Sequence, residues 1–429
     1  MPSVSAGVFH GRDLVWSDAV GLADVEGGDE ATPEHQYRVA SITKTFVAAA
    51  TLQLRDDGRL DLEDPLSRHL PEAAHGEATI RRMLSHLTGL QREPPGAVWE
   101  TLAMPSADEL LARLREADQV LPPGEEWHYS NLAYALLGQV VEQASGVPFE
   151  RYVEERLLQP VGLDHTGWHP ERPARGYWID PYADVAEREP EVEMGGTNAA
   201  GGLWSTPSDL VRWGAFLADP DPEVLRPESA AQMPVVQAMV DRDGWTMGHG
   251  LGLQLWRRGE RVYAGHTGGF PGYISILVWS IVDKVGAAAI ANASSWPKVV
   301  ETGLGLVDAA LEGMPPAREP WRAREAPPPE VAAVLGRWWS ESNEFVFSWY
   351  EGKLQARLAG LPAVLPPAVF EQEEPDVWRT AAGRERGELL RVVRDADGAP
   401  VKLYWATYPF TRRPAVTGAP EQPDTPAEA

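Results

Sequence analysis

The sequence predicts an α/β (α+β) fold: an antiparallel sheet flanked by helices in a large first domain, followed by a small all-β domain. Three observations carry that expectation. β-prone runs open the chain and return from Gly248 onward, helical patterns fill the stretch between, and a Pro-rich segment precedes a second series of short β-prone runs. Strands at both ends of a region with helices between them imply that the two ends share one sheet.

Each element has a local reason. Val4 to Phe9 and Leu14 to Val20 flank His10-Gly11-Arg12-Asp13, which reads as an N-terminal hairpin. Thr43 to Arg55 carries Phe46, Val47, Ala50, Leu52 and Leu54 in a helical stretch that Asp56-Asp57-Gly58 ends. Ser106 to Ala117, Asn131 to Ala144 and Phe149 to Leu158 read as further helices bounded by Pro or Gly. Thr206-Pro207-Ser208-Asp209 supplies a hydroxyl cap, a proline at the first helical position and an acidic first turn, so a helix should follow through Leu217. Leu251 to Trp256, Arg261 to Ala264, Tyr273 to Trp279 and Gly286 to Ala291 then read as strands. Glu312 to Pro329, with its Ala326-Pro327-Pro328-Pro329 run, reads as a linker. Beyond it, Phe345 to Trp349, Lys353 to Arg357, Glu388 to Val393 and Val401 to Tyr404 alternate with turns, as in a small barrel or sandwich. The expected division is 1–315 for the large domain, 316–330 for the linker, 331–413 for the β domain and 414–429 for a disordered tail.

At 429 residues, with 43% hydrophobic and 24% charged residues, the chain is long enough to pack both domains. A formal net charge of −25 disfavours nucleic acid and anionic membrane surfaces as partners, because polyanions are held through Lys and Arg. With no cysteine, disulfides, thiolate nucleophiles and Cys-based zinc sites are excluded. His69, His75 and His86 are irregularly spaced, so no metal is expected there, and no phosphate loop or dinucleotide fingerprint points to a cofactor. Residues 1–21 lack the pattern of a secretory leader and no run of 18 apolar residues occurs, so a cytoplasmic protein without a membrane partner is expected. Nothing in the sequence sets an oligomeric state.

The candidate chemistry starts at Val39-Ala40-Ser41-Ile42-Thr43-Lys44, where a serine begins a predicted helix and a lysine follows three residues later. Residues i and i+3 share a helix face, so amine and hydroxyl approach each other. A serine hydroxyl needs a neighbouring base, and a lysine serves only if burial or nearby positive charge lowers its pKa. A second Ser-x-x-Lys, Ser295 to Lys298, contains Pro297 and is discarded. Tyr129-Ser130-Asn131 stands before another predicted helix, and a tyrosine beside a lysine can share its proton. Gly265-His266-Thr267-Gly268-Gly269 follows a predicted strand, where glycines let a substrate backbone approach and free N–H groups for an oxyanion. His165-Thr166-Gly167 repeats the tripeptide without a strand leading in. Trp204 and Trp245 are candidate cleft walls.

Ser-x-x-Lys, Tyr-Ser-Asn and His-Thr-Gly in that order resemble the class C β-lactamase and penicillin-binding-protein-like serine hydrolases, as do Leu84-Ser85-His86-Leu87-Thr88-Gly89-Leu90, Leu121-Pro122-Pro123-Gly124 and Ala200-Gly201-Gly202-Leu203-Trp204-Ser205-Thr206. The resemblance covers roughly residues 1–315. It implies a β-lactamase-like fold and a catalytic set of Ser41, Lys44, Tyr129 and His266, with Ser41 acylated and Lys44 and Tyr129 handling its proton. It also implies that Asn131, Thr267, Gly268 and Gly269 bind substrate, and that the N–H groups of Ser41 and Gly269 form the oxyanion hole. The last domain resembles the lipocalin-like barrels appended to some members.

The expected activity is that of a serine hydrolase working through an acyl-enzyme on amide or ester bonds of a small-molecule or peptide substrate, without cofactor or metal. Peptide-cyclising thioesterases and β-lactam-binding sensors that do not turn over remain alternatives within the resemblance. The β-lactamases usually carry Lys-Thr-Gly where this chain has His266-Thr267-Gly268, so a fixed cation for a β-lactam carboxylate is missing and efficient β-lactam hydrolysis is not expected.

Overall fold

The computed structural model describes residues 1–180, 185–313, 326–340, 343–350, 352–360 and 366–414. The chain forms two compact units, Met1–Pro316 and Ala317–Ala429. In the first, β1 (Ser3–His10) and β2 (Asp13–Asp24) form the expected hairpin, and Gly11 at φ 60° makes the turn. Among the described residues, the other strands of the main sheet are β3 (Asp29–Glu30), β4 (Ala238–Met239), β5 (Met247–His249), β6 (Gln254–Arg258), β7 (Arg261–Phe270), β8 (Tyr273–Ser280) and β9 (Val285–Ala291), beside two short two-stranded ribbons. The main sheet has the order β3-β2-β1-β9-β8-β7-β6-β5-β4. Antiparallel pairing of Val4 with Ala291 and His10 with Val285 joins the two ends of the unit, as strands at both ends of the sequence require.

Four helices position the rest: α1 (Thr43–Asp56), α2 (Asn131–Ser145), α3 (Pro207–Ala218) and α4 (Val299–Gly313). β9 is buried at every residue because both sheet faces are covered. Ala288 and Ile290 belong to a core with Trp213 of α3, while Ala287 and Ala289 belong to one with Leu304 and Val307 of α4. α1 runs through the main core, where Phe46 stacks on Trp213 at 3.9 Å and Trp213 Nε1 donates to Thr45 Oγ1 at 2.7 Å.

Three features depart from the sequence reading. The strand expected at Leu251 begins instead at Gln254, because Gly252 (φ 73°) turns the chain just before it. The strand expected to end at Ala264 continues to Phe270, so the His-Thr-Gly motif lies inside β7. Helix α4 was not expected, since Gly303, Gly305 and Gly313 are poor helix formers. Packing overrides propensity there: a Cβ on Gly303 would come within 2.8 Å of Ile276 Cδ1 on β8.

The second unit is an eight-stranded antiparallel sheet among its described residues: β10 (Gly336–Ser340), β11 (Asn343–Tyr350), β12 (Lys353–Leu358), β13 (Ala368–Glu374), β14 (Val377–Ala382), β15 (Leu389–Arg394), β16 (Pro400–Trp405) and β17 (Tyr408–Phe410), in sequence order. Trp339 on the first strand exchanges backbone hydrogen bonds of 2.8 and 3.0 Å with Thr411 just past the last, so the sheet nearly closes as a barrel. Trp338, Phe347, Phe370, Trp378 and Trp405 fill its interior. Most of the expected linker and all but Pro414 of the expected tail lie outside the described residues.

Candidate active site

The chain enters α1 through a short 3-10 turn, Ala40–Ile42, in which Ala40 adopts φ 48°, a left-handed conformation uncommon for a residue with a Cβ. The preceding residue is pinned on both sides. Val39 N donates to Leu203 O at 3.0 Å, and Ser275 Oγ donates to Val39 O at 3.0 Å. Gly268 lies so close that a Cβ there would stand 2.1 Å from Val39 O. These contacts hold the strained turn, leave Ser41 partly exposed at the start of the helix, and bury Lys44 one turn further in.

Lys44 has no exposed surface, and its Nζ reaches Ser41 Oγ (3.0 Å), Asn131 Oδ1 (2.8 Å) and Ala200 O (2.5 Å). Burial holds the amine well below the usual lysine pKa; the nearby Glu93 charge works against that shift and Arg92 works with it. A neutral amine has two N–H bonds and one lone pair. Ala200 O can only accept, and Asn131 presents its oxygen because its Nδ2 donates to Glu93 Oε1 at 2.7 Å. Both N–H bonds are thereby taken, and the lone pair is left for the Ser41 hydroxyl.

Tyr129 reaches the same serine from the segment leading into α2, whose first turn Ser130 caps by accepting from Ala133 N at 3.1 Å. The Tyr129 ring lies 5.0 Å from Lys44 Nζ and beneath the Arg92 guanidinium at 4.8 Å. The ring keeps some surface in the cleft, yet enclosure of the phenol raises its pKa, and the hydrogen bond with Ser41 opposes that shift without cancelling it. Tyr129 therefore keeps its phenolic proton at neutral pH, beside a lysine whose pKa burial lowers.

Ser41, Tyr129 and Asn131 open onto a cleft of about 820 Å³ together with Thr267, Gly268 and Gly269 of β7. Thr267 Oγ1 donates to Gln254 Oε1 at 3.0 Å. His266, one residue earlier on the strand, is buried and does not line the cleft; its ring packs 6.3 Å from that of Tyr129. The aromatic walls are Trp99, Trp127, Phe270 and Trp296. This corrects the expectation for Trp204, which is 7% exposed beneath Arg38, and for Trp245, which is 64% exposed away from the cleft. Trp296 sits in the discarded Ser295–Lys298 stretch, and Glu93 follows the Leu84–Leu90 phrase, but neither had a spacing that marked it. The second His-Thr-Gly copy is structural: His165 N and Thr166 Oγ1 both donate to Asp209 Oδ2 in the first turn of α3.

A helix-flanked antiparallel sheet with a serine at the N-terminus of a central helix places the chain in the β-lactamase fold class. The chain belongs to the beta-lactamase family, whose model, described as Beta-lactamase, matches residues 1–312. A second model, described as Domain of unknown function (DUF7586), matches residues 327–412. Beta-lactamase-like protein 2 of Dictyostelium discoideum is 32% identical over 244 residues, 52% of this chain and 43% of that protein. Esterase EstB of Burkholderia gladioli is 36% identical over 193 residues, 41% of this chain and 48% of that protein, so the chain spans about half the length of each. The structure of D-amino acid amidase from Ochrobactrum anthropi SV3 complexed with L-phenylalanine amide superposes with a TM-score of 0.62 at 27% identity, covering 72% of this chain and 93% of that one. No helix among the described residues is long and apolar enough to cross a membrane.

Proposed function

We propose that the protein hydrolyses esters and amides of small molecules or short peptides through an acyl-enzyme on Ser41. The observation that carries this reading is the placement of the buried Lys44 amine 3.0 Å from the Ser41 hydroxyl, with Asn131 Oδ1 and Ala200 O as its other two partners. Lys44 takes the Ser41 proton as Oγ bonds to the substrate carbonyl carbon. The N–H groups of Ser41 and Gly269 receive the oxyanion. On collapse, the leaving amine or alkoxide takes the Tyr129 proton, which the Lys44 ammonium replaces. Water then attacks the acyl-enzyme and gives its proton to the same pair, and Ser41 regains its hydrogen as the acid departs.

The cleft favours a substrate bearing an amine over one bearing a carboxylate. Glu93 and Glu189 line it, and Arg92 stands 3.5 Å from Glu93. The amidase and esterase relatives support the same bond classes. A turnover panel of p-nitrophenyl esters, D-amino acid amides, D-Ala-D-Ala peptides and nitrocefin should show the first two hydrolysed and nitrocefin poorest. Ser41→Ala should lower kcat on the order of 10⁶-fold. Full activity in that variant would defeat the proposal, and a permanent Ser41 adduct without turnover would favour a β-lactam or acyl sensor.

A further inference from the structure

Behind Tyr129, three fully buried histidines from distant parts of the chain, His86, His249 and His266, bring one ring nitrogen each within 4.8 Å of the others. Their Nδ1 atoms are already engaged. His86 Nδ1 accepts from Ser130 N at 3.1 Å, whereas His249 Nδ1 donates to Gly250 O at 2.9 Å and His266 Nδ1 donates to Thr267 O at 2.6 Å. An amide N–H only donates and a carbonyl only accepts, so neutral His86 carries its proton on Nε2 while His249 and His266 turn bare Nε2 lone pairs inward. Burial away from water keeps all three rings neutral.

None of the three Nε2 atoms has a protein partner. Trp127, packed 6.1 Å from the His86 ring and 6.2 Å from the His249 ring, adds a fourth buried atom in the same condition, its Nε1–H. The cluster thus offers two donors and two acceptors, and leaving them unmatched would be costly. One water molecule has the complementary two protons and two lone pairs. A metal ion would instead need three inward lone pairs, and His86 could supply its own only by giving up the hydrogen bond from Ser130.

We propose that His86, His249, His266 and Trp127 hold a single structural water, and that this neutral cluster clamps the Tyr129–Ser130 segment to the His266–Thr267 strand. His86 does so twice, through Ser130 N and by packing its ring 4.2 Å from that of Tyr129. The three histidines are positioning residues. The role of Tyr129 rests on the proposed function; the water site does not.

A crystal structure at about 1.2 Å, where hydrogens begin to be visible, with anomalous data above the zinc edge, tests the site directly. An ordered water bonded to the three Nε2 atoms is expected; an anomalous metal peak or an empty cluster would overturn it. Histidine-labelled ¹⁵N spectra of the full chain at neutral pH should show His86 protonated on Nε2 and the other two on Nδ1, and an imidazolium at any of the three would contradict the assignment. For the clamp, His249→Phe should lower kcat about tenfold with KM nearly unchanged, and His249→Gln, which keeps an acceptor, should recover most of it. Equal losses in both variants would refute the clamp. If the wild type hydrolyses nothing on the panel, the proposed function fails while the structural and spectroscopic outcomes still decide the water site.

Discussion

Asn131 gives its amide nitrogen to Glu93 at 2.7 Å and so turns its carbonyl oxygen toward Lys44, 2.8 Å away. Glu93 therefore acts on Lys44, the base in the proposed reaction, in two ways: by fixing Asn131 and by its charge, which opposes the burial that lowers the Lys44 pKa.

Glu93→Gln separates the two. Lys44 must be unprotonated to act, so activity is present above its pKa in the folded protein and is lost as pH falls through that value. Removing the carboxylate lets the pKa drop further, so the acid limb of kcat/KM should move to lower pH. Because Gln can also offer Asn131 a donor, kcat should fall about tenfold. A limb that moves to higher pH would contradict this electrostatic account.

Ser41 and Lys44 should behave as one unit. Lys44→Met and Ser41→Ala are each expected to cost at least about 10⁴-fold in kcat, and the double variant should lose little more than the worse single one. Multiplicative losses, read from single-turnover acylation, would show independent roles.

The two glycines ending the β7 motif should differ. At Gly268 a Cβ would meet Val39 O at 2.1 Å and Ser275 Oγ at 2.2 Å, whereas at Gly269 the nearest atom is 3.6 Å away. Gly268→Ala should therefore destabilise by about 2 kcal/mol or more and shift the Ser41 turn, while Gly269→Ala should leave the melting temperature almost unchanged.

Ala40 offers a test of backbone strain. At φ 48°, Ala40→Val places a β-branched side chain where it is least tolerated and should cost about 1–2 kcal/mol and most activity. Ala40→Gly relieves strain and should preserve folding; a valine variant as stable as wild type would argue against a strained turn.

Acid should weaken the fold through the buried histidines. The folded-state pKa of His249 is lowered to about 4 from 6.5, so below pH 6.5 the unfolded chain takes up a proton that the native state refuses until about pH 4. Stability should be complete above that window and decline through it, by on the order of 3 kcal/mol for this one ring. Denaturant midpoints measured across the window should fall less steeply in His249→Gln.

Much of this arrangement was legible in the chain. The hairpin, α1, α2 and α3 follow from periodicity and capping, and the three motifs pointed to Ser41, Lys44, Tyr129 and Asn131, which the fold brings together. What escaped depends on long-range packing. Helix α4 is held by the fit of Gly303 against Ile276, which outweighs its own low propensity. Trp99 reaches the cleft from a one-turn helix (Val98–Thr101) and Trp127 and Trp296 from separate loops, and the histidine cluster joins residues 86, 249 and 266, so no local spacing could announce either.

The hydrogen bonds between Trp339 and Thr411 have a consequence for how the C-terminal unit behaves in a crowded solution. A sheet whose first and last strands meet has little unpaired backbone to offer an incoming strand, and so gives fibrils or swapped copies a poor place to begin. Cutting the chain just before Thr411 should expose such an edge and turn a well-behaved appendage into a self-associating one.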